Sequence, residues 1–344
     1  MLQSLFLNSL RKTWERAQRR HSSIKRTRSV WRHTKTIVDN TSHIGASDIL
    51  LVAMFRDEKF RLGPFIDYYR RLGIDHFIFI DNDSTDGGLD PSLCEAAKDI
   101  SLFRVTQSFG AARQGTDWLN AFLQRYCCDH WVISVDVDEF FVFPHMESRT
   151  LRDLVSHLTD AEQAAVWSLM LDMYPDGPIE DITFNKDTQP VLQADHFDPN
   201  TYFMVAGGYQ DVWVRGGPRL RRFFKEHPEK APALNKVPLI KWKKNFSYLI
   251  NQHVVSPVRL NSPHCWHSHV TGALLHFKFD SRFSAKAKEE SGRGEHYQGG
   301  EEYKRYSDYY KSSTKLDLMY ASSTRFESSK TLLDLGLIND GLWS

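Results

Sequence analysis

Unbroken apolar runs constrain the fold of this chain more than any other feature of its sequence. They occur in residues 48–55 (DILLVAMF), 75–82 (DHFIFIDN) and 130–138 (HWVISVDVD), and a weaker run lies in residues 99–107 (DISLFRVTQ). Short apolar runs without polar alternation are typical of strands that are buried in a sheet. We therefore predict four buried strands.

Two amphipathic segments lie between these runs. Residues 61–73 (RLGPFIDYYRRLG) predict a helix that stops at Gly73. Its apolar residues at helical spacing are Phe65, Ile66, Tyr69 and Leu72. Residues 115–127 (GTDWLNAFLQRYC) predict a second helix, with Thr116 or Asp117 as its N-cap. The order strand, helix, strand, strand, helix, strand predicts an α/β fold around a mainly parallel central sheet.

Composition narrows the class of protein. The chain has 344 residues, of which 41% are hydrophobic, so it can bury a large core and is not globally disordered. Its formal net charge of +1 gives no argument for a nucleic-acid partner, and we expect none. The cysteines form neither a disulfide framework nor a CxxC metal site, which predicts reduced thiols in a cytoplasmic protein.

The two ends of the chain differ in composition from its middle. We divide it into a basic N-terminal appendage (1–46), a main domain (47–280) and a polar C-terminal extension (281–344) that we expect to be helical. In the appendage, Lys and Arg residues recur from Arg11 to Lys35 after an apolar helical face. That pattern suits peripheral contact with the cytoplasmic face of the inner membrane. A solvated, partly disordered leader is the alternative.

Acidic turns end two of the predicted strands, DNDSTDGG (81–88) and DVDE (136–139). In open α/β sheets, ligands bind outside the carboxyl ends of the strands. If the strand continues through them, Asp136 and Asp138 project to the same side. Two carboxylates so close repel each other unless a cation lies between them, and a hard divalent ion such as Mg²⁺ or Mn²⁺ suits oxygen ligands. A solvated acidic turn is the alternative.

Together these motifs resemble the family-2-type glycosyltransferases, in the bacterial branch with the pattern RNE…YYRxLGVDHFFFVDNxSTDGT…WVLHVDADEFL. The resemblance runs from about residue 48 to 280 and includes LMLDMYPDG, GGPRLRR, KVPLIKW and TGALLHFKF. It implies a GT-A fold, which is a Rossmann-like nucleotide-diphospho-sugar transferase fold. It also implies metal-dependent, inverting transfer of a sugar from a nucleotide-diphosphate donor to a saccharide or lipid-linked acceptor, in surface polysaccharide or lipopolysaccharide assembly.

The resemblance assigns roles to particular residues. A pocket for the nucleotide is implied at the ends of two strands, by Phe55, Arg56, Glu58, Asp81, Asn82 and Asp83. The implied metal ligands for Mn²⁺ or Mg²⁺ are Asp136, Asp138 and His276, with Glu139 supporting them. A core histidine with a satisfied hydrogen bond is the alternative for His276. The motif RDE at 56–58 departs from the branch, which often has Asn before the Glu.

Arginines and acids outside these turns complete the candidate site. Guanidinium groups pair bidentately with phosphates, so Arg215 and Arg219 in RGGPRLRRFF are candidate diphosphate contacts, and a basic surface loop is the alternative. Lys236 and Lys241 are weaker candidates of the same kind. The remaining candidates are acids, because inverting transfer needs a carboxylate base. The resemblance implies an Asp well beyond the DxD motif, which favours Asp211 over Asp176 and Asp172. The usual ED…QxxRW signature is absent.

Two other functions fit parts of the sequence. FIFIDNDST resembles the start of aspartyl-phosphate phosphatases of the haloacid dehalogenase type, in which Asp81 would be the nucleophile and Asp83 the general acid. That family's later Gly-Asp-x-x-x-Asp motif is missing. A catalytically inactive module that only binds sugar-nucleotides is the second alternative.

Overall fold

The computed structural model describes residues 26–27, 29–206, 212–261, 268–293 and 297–343. The strands are β1 (Thr34–Val38), β2 (Ile49–Phe55), β3 (His76–Asp81), β4 (Ile100–Val105), β5 (Trp131–Asp136), β6 (Glu139–Val142), β7 (Ala165–Asp172), β8 (His196–Phe197), β9 (Phe203–Ala206), β10 (Val212–Arg215), β11 (Asn235–Lys241), β12 (Ser247–Ile250), β13 (Val254–Ser256), β14 (Gly272–His276) and β15 (Thr324–Arg325). The helices are α1 (Lys59–Leu72), α2 (Pro91–Ala97), α3 (Thr116–Tyr126), α4 (Leu151–Asp160), α5 (Gly217–Phe223), α6 (Phe283–Arg293), α7 (Tyr297–Ser312) and α8 (Ser329–Asp334).

A nine-stranded sheet in the order β1-β4-β3-β2-β5-β11-β7-β14-β6 organises the chain. Strands β4, β3, β2, β5, β7 and β14 run in one direction. Strands β1, β11 and β6 run in the other. The prediction of an α/β fold with a mainly parallel central sheet is therefore confirmed, and the arrangement is compatible with a Rossmann-like fold.

The four predicted strands and two predicted helices are all present. Every residue of β2 and β3 is buried, as their unbroken apolar sequences predict. Helix α1 ends at Gly73, whose φ of 109° lies in the left-handed region that favours glycine. The short helix α2 between β3 and β4 was not predicted. It is only two turns long, and its start is marked by Asp90, whose side chain accepts a hydrogen bond from Ser92 N.

The predicted N-cap of α3 is wrong. The residue before the helix is Gly115, with a φ of 76°, and it makes no side-chain capping bond. Thr116 Oγ1 instead donates to the carbonyl oxygen of Arg113. Asp117 accepts a hydrogen bond from the Arg113 side chain. Both candidates lie inside the helix because Gly115 can adopt a conformation that is costly for other residues.

Part of the predicted N-terminal appendage belongs to the sheet. Strand β1 pairs with β4 in antiparallel fashion, and the ring of Trp31 packs 4.8 Å from that of Phe122. The domain that holds the sheet therefore begins well before residue 47. Residues 1–25, which carry the predicted membrane-contacting pattern, lie outside the described residues. None of the helices that the structure describes is both long and apolar enough to cross a bilayer.

Helices α6 and α7 lie in the segment expected to be a helical extension, and they pack on each other. Tyr306 of α7 is fully buried and its ring lies 5.0 Å from that of Phe283 in α6. After α7 the chain turns back to the main domain: β15 pairs with β8, and Trp343 stacks on His157 of α4. The end of the chain is thus a mixed segment that contacts the main domain.

Candidate metal centre

The ends of three neighbouring strands bring the central acids and the late histidine together. His276, the last residue of β14, is in register with Asp172 at the end of β7. It is also in register with Glu139, the first residue of β6. Residues in register on adjacent strands present their side chains to the same face of a sheet. Pairing alone therefore places Asp172, His276 and Glu139 side by side.

Asp138 lies beside these residues, in the turn that joins β5 to β6. Strand β5 ends at Asp136, and Val137 and Asp138 form the turn before β6. The strand therefore does not continue through Asp138, and the condition under which Asp136 and Asp138 would project to the same side is not met. The backbone of Phe277, next to His276, donates to the carbonyl oxygen of Asp138. This bond fixes the turn beside the end of β14.

Asp138, Glu139 and His276 form a group that could hold a metal ion. One ligand atom from each lies within 4.8 Å of the others. Glu139 is 1% exposed and His276 6% exposed, whereas the Asp138 side chain is 19% exposed. Two carboxylates and one imidazole are a donor set that Mn²⁺ accepts, and Mg²⁺ also takes the carboxylates. The residues present therefore fit a divalent cation.

The imidazole of His276 is held in the orientation of a metal ligand. Its Nδ1 lies 2.6 Å from Asp172 Oδ1, and its Nε2 lies 3.4 Å from Asp138 Oδ2. A histidine that ligates a metal through one ring nitrogen usually donates from the other to a carboxylate. Burial by itself lowers the pKa of His276, but the two carboxylates raise it above its usual value. Because a metal ion binds only a ring nitrogen without a proton, a cation at Nε2 would displace the proton held there.

The pKa values of the two aspartates agree with this orientation. Burial raises the pKa of Asp172, but the Arg219 guanidinium and the bond to His276 outweigh it and lower the pKa below the usual range. Burial also raises the pKa of Asp138, yet His276 beside it lowers that pKa well below the usual range. Both carboxylates are therefore ionised at neutral pH.

A buried lysine occupies the position next to this cluster. Lys236 of β11 donates to Asp136 Oδ2 at 2.8 Å and to Glu139 Oε1 at 2.5 Å. Burial raises the pKa of Glu139 to about 7, with a smaller increase from Asp136 and an opposing effect of Lys236. The ammonium group of Lys236 therefore neutralises part of the negative charge of the acidic turn. Asp136, a predicted metal ligand, is paired with Lys236 and lies outside the three-residue cluster.

The residues predicted to line the nucleotide pocket are mostly engaged within the protein. Asp81 is buried and accepts from Arg104 and from Ser84 N. The side-chain amide of Asn82 donates to the carbonyl oxygens of Val105 and Gln107. Asp83 is exposed, with a φ of 56°. Of these three turn residues, Asp83 is the one that the structure leaves on the surface.

The end of β2 shows the same division. Phe55 is 4% exposed, and its ring lies near the backbone of Gly88 in the acidic turn. Arg56 is exposed. Glu58 is buried and forms ion pairs with Arg61 and with Lys286 from helix α6. The structure therefore places Phe55 and Glu58 in contacts that hold the site together.

The two candidate phosphate-binding arginines lie in different surroundings. Arg215 ends β10, in a two-stranded sheet with β9. Arg219 of α5 is 3% exposed and donates through Nε to Asp172 Oδ2 at 2.7 Å. A surface loop is therefore ruled out for Arg219, whose guanidinium instead supports the acid that orients His276. Lys241, at the end of β11, is partly buried.

The structure describes two of the three candidate bases, Asp172 and Asp176. Asp176 is exposed in a bend beyond the end of β7. Asp211 lies outside the described residues. Asp172, the third acid considered, is fully engaged by His276 and Arg219. The assignment of a base to Asp211 stays a sequence-based prediction.

Several charged residues of the site were not predicted. They are Arg61, Lys278, Lys286 and Glu302. Lys278 lies two residues beyond the end of the largely apolar strand β14, and an isolated charge in such a setting is a signal that could have identified it. Glu302 and Lys286 lie in a polar, highly charged segment, where no sequence pattern distinguishes them from solvated neighbours.

Comparison with known proteins adds no assignment. No protein-family model matches the chain, and a search of curated proteins finds no match. Function is therefore inferred from the geometry of the cluster and from the motifs of the sequence.

Proposed function

We propose that this protein is a metal-dependent glycosyltransferase with a GT-A fold. It would move a sugar from a nucleotide-diphosphate donor to a saccharide or lipid-linked acceptor, in the cytoplasm or at the cytoplasmic face of the membrane. One observation carries the proposal: Asp138, Glu139 and His276 converge at the edge of the sheet where parallel strands end. The resemblance of the flanking motifs to family-2-type enzymes points to the same chemistry.

The reaction gives each part of the site a role. A nucleoside diphosphate leaves with growing negative charge, and a divalent ion, when bound, supplies the compensating charge. Asp138, Glu139 and His276 would hold that ion. Asp172 keeps the Nδ1 proton of His276 in place, so that Nε2 faces the cluster. Lys236 keeps the charge of Asp136 and Glu139 from accumulating in a buried turn.

The geometry around Asp81 argues against the aspartyl-phosphate alternative. A nucleophilic carboxylate needs a free oxygen to attack phosphorus. Asp81 Oδ1 accepts from Ser84 N at 2.8 Å, and Oδ2 accepts from two nitrogens of Arg104. Both oxygens are therefore occupied by groups that fix the turn.

A thermal-shift screen tests the proposal. The native chain is heated with nucleotide-sugars of each base, with and without Mn²⁺. We expect stabilisation by one nucleotide class, only when Mn²⁺ is present, and none in Asp138→Ala. Asp129→Asn is the matched control, because Asp129 is an exposed carboxylate near the start of β5, and it should behave as the native chain does.

Release of nucleoside diphosphate from the stabilising donor then separates transfer from binding. Metal-dependent release that is lost in Asp138→Ala supports the transferase. Binding without release, with every acceptor offered, would assign the protein to an inactive binding module. Equal stabilisation of the native chain and Asp138→Ala would overturn the proposal, because the cluster would then have no part in donor binding.

A further inference from the structure

Glu302 of helix α7 binds two cations near the metal centre. Glu302 Oε1 accepts from Arg219 Nη1 at 3.2 Å and from Lys278 Nζ at 2.9 Å. The hydroxyl of Tyr306, one turn further along α7, also donates to it. Arg219 and Lys278 have side chains that are 4% and 11% exposed. Glu302 therefore compensates two enclosed cations at once.

Arg219 connects this carboxylate to the centre. Its Nη1 donates to Glu302 and its Nε to Asp172 Oδ2. Because a guanidinium is planar and rigid, two acids that bind different nitrogens fix both its position and its plane. Arg219 therefore cannot turn without breaking a contact to one of the two acids.

Asp172 links Arg219 to His276, so the position of Arg219 affects that of the His276 ring. Its two oxygens have different partners, since Oδ2 accepts from Arg219 and Oδ1 lies 2.6 Å from His276 Nδ1. The carboxylate is fully buried, so water does not replace either partner. The plane of the Asp172 carboxylate, and with it the direction of the His276 ring, depends on where Arg219 is held.

We propose that Glu302 is a positioning residue of the metal centre, which acts on the imidazole of His276 through Arg219 and Asp172. This inference rests on the proposed function, since it assumes that His276 binds a metal. It gives the C-terminal helices a role that composition does not suggest. They supply an outer carboxylate to a centre whose proposed ligands come from the sheet and its turns.

Mutation of Glu302 separates its charge from its shape. In Glu302→Gln the side chain keeps its size but loses its charge, so Lys278 and Arg219 both lose a charged partner. We expect the Mn²⁺ dissociation constant, measured by electron paramagnetic resonance on the full chain, to rise about 3- to 10-fold. Asp172→Asn, which removes the direct partner of His276, should raise it about 10- to 100-fold.

The neighbouring residue is the matched control. Glu301 lies on the same helix and pairs with Lys230 and Arg305, away from Asp172. Glu301→Gln removes the same charge from the same turn of α7. We expect its Mn²⁺ dissociation constant to stay within about twofold of the native value, because the contacts of Glu301 among the described residues, with Lys230 and Arg305, do not lead to His276.

A double mutant separates positioning from general loosening of the structure. If Glu302 acts through Asp172, Glu302→Gln should weaken Mn²⁺ binding no further in an Asp172→Asn background. A full additional loss in that background would overturn the inference. So would native Mn²⁺ affinity in Glu302→Gln, provided that the native chain binds Mn²⁺. If the native chain itself fails to bind Mn²⁺, the metal centre of the proposed function falls, and this inference falls with it.

If Glu302→Gln is too unstable to interpret, a second variant tests the same inference. If Glu302→Gln lowers the melting temperature by more than about 5 °C, the same cycle is run with Glu302→Asp, which keeps the charge on a shorter side chain. Restoration of Mn²⁺ affinity by Asp supports positioning by charge. Affinity as weak as in the glutamine variant, and additive with Asp172→Asn, overturns it.

Discussion

The two acidic turns of this protein hold their charges in different ways. In the turn after β3, the acids are satisfied locally. Asp81 accepts from Ser84 N, three residues away, and from Arg104 on the adjacent strand. In the turn after β5, the partners come from distant parts of the chain, Lys236 in β11 and His276 at the end of β14.

Asp57 completes the network of the first turn. It precedes α1, and its carboxylate accepts from the backbone nitrogens of Thr85 and Asp86. The bonds of the first turn join residues that are 3 to 29 positions apart along the chain. The ion pairs of the second turn join residues at least 97 positions apart, so only the assembled sheet brings the buried Glu139 and the partly exposed Asp136 and Asp138 to their partners. Charges that are held at such an energetic cost mark a functional site more reliably than a count of acids does.

Removal of Lys236 should produce the largest effect. Lys236→Met leaves the buried carboxylate of Glu139 without its cation, and loss of one partner of a buried pair costs about 3–5 kcal/mol. Urea unfolding at pH 8 without metal measures this loss. Lys243→Met, which breaks the exposed pair with Asp129, is the control and should have no measurable effect. Equal losses in the two variants would mean that burial of the second turn is unimportant.

Matched substitutions in the two turns should show that the second turn is needed for Mn²⁺ binding and the first for stability. We expect Asp138→Asn to weaken Mn²⁺ binding by about 100-fold, which is the loss of about 2.7 kcal/mol. Asp81→Asn should leave Mn²⁺ affinity within about twofold, and should lower the free energy of unfolding by about 1–3 kcal/mol, since the buried side chain at position 81 loses its charged hydrogen bonds with Arg104. Isothermal titration with Mn²⁺ and urea unfolding provide the two readouts. Similar loss of Mn²⁺ affinity in both variants would remove the contrast.

The burial of His253, near Lys236, should make the stability of the protein depend on pH. Burial, with a smaller contribution from Lys236, lowers the pKa of His253 to about 4. A histidine whose pKa is depressed by folding contributes stability that is complete above its unfolded pKa of about 6.5, and that is lost as the pH falls toward 4.

We expect the native chain to lose about 1–2 kcal/mol more than His253→Asn between pH 7 and pH 4.5. Urea unfolding at both pH values measures the difference, and His227→Asn, at an exposed histidine, is the control. A constant difference between the native chain and His253→Asn at the two pH values would contradict the assignment.

Asp57 should give the smallest effect. Asp57→Asn keeps a residue that tolerates the φ of 54° but weakens the bonds to Thr85 and Asp86. Because the side chain is partly exposed, we expect a loss of only about 0.5–1 kcal/mol in unfolding free energy. Thermal unfolding measures the loss, and Mn²⁺ affinity should not change. A change in Mn²⁺ affinity would show that the two turns are coupled.

The strands of the parallel region were predictable because each is complete within one short segment. The apolar run of β2 and the pattern of α1 with its terminal Gly73 need no distant partner to be recognised. Helix α2 was missed because it is only two turns long, but strand β1 was missed for the opposite reason. Strand β1 is a polar edge strand with one buried residue, and it is defined by its pairing with β4.

The site was predictable only in part. Asp138 stood out because an acidic turn ends an apolar strand, whereas Glu139 and His276 were assigned through the resemblance to family-2-type glycosyltransferases. Lys236 was a weaker candidate, and its contact with both Asp136 and Glu139 could not be foreseen. Glu302 could not be identified, because its proposed role depends on its contact with Arg219, which lies on another helix.

The sequence by itself determined the class of the fold and the positions where its strands end, since apolar periodicity and turn residues act over a few positions. Only the tertiary structure decided which charges meet. It placed Lys236 between Asp136 and Glu139 and brought Glu302 to Arg219. The physical reason is that buried charges are stabilised by whichever opposite charge the packed elements bring within reach, and that distance is set by the fold rather than by the spacing along the chain.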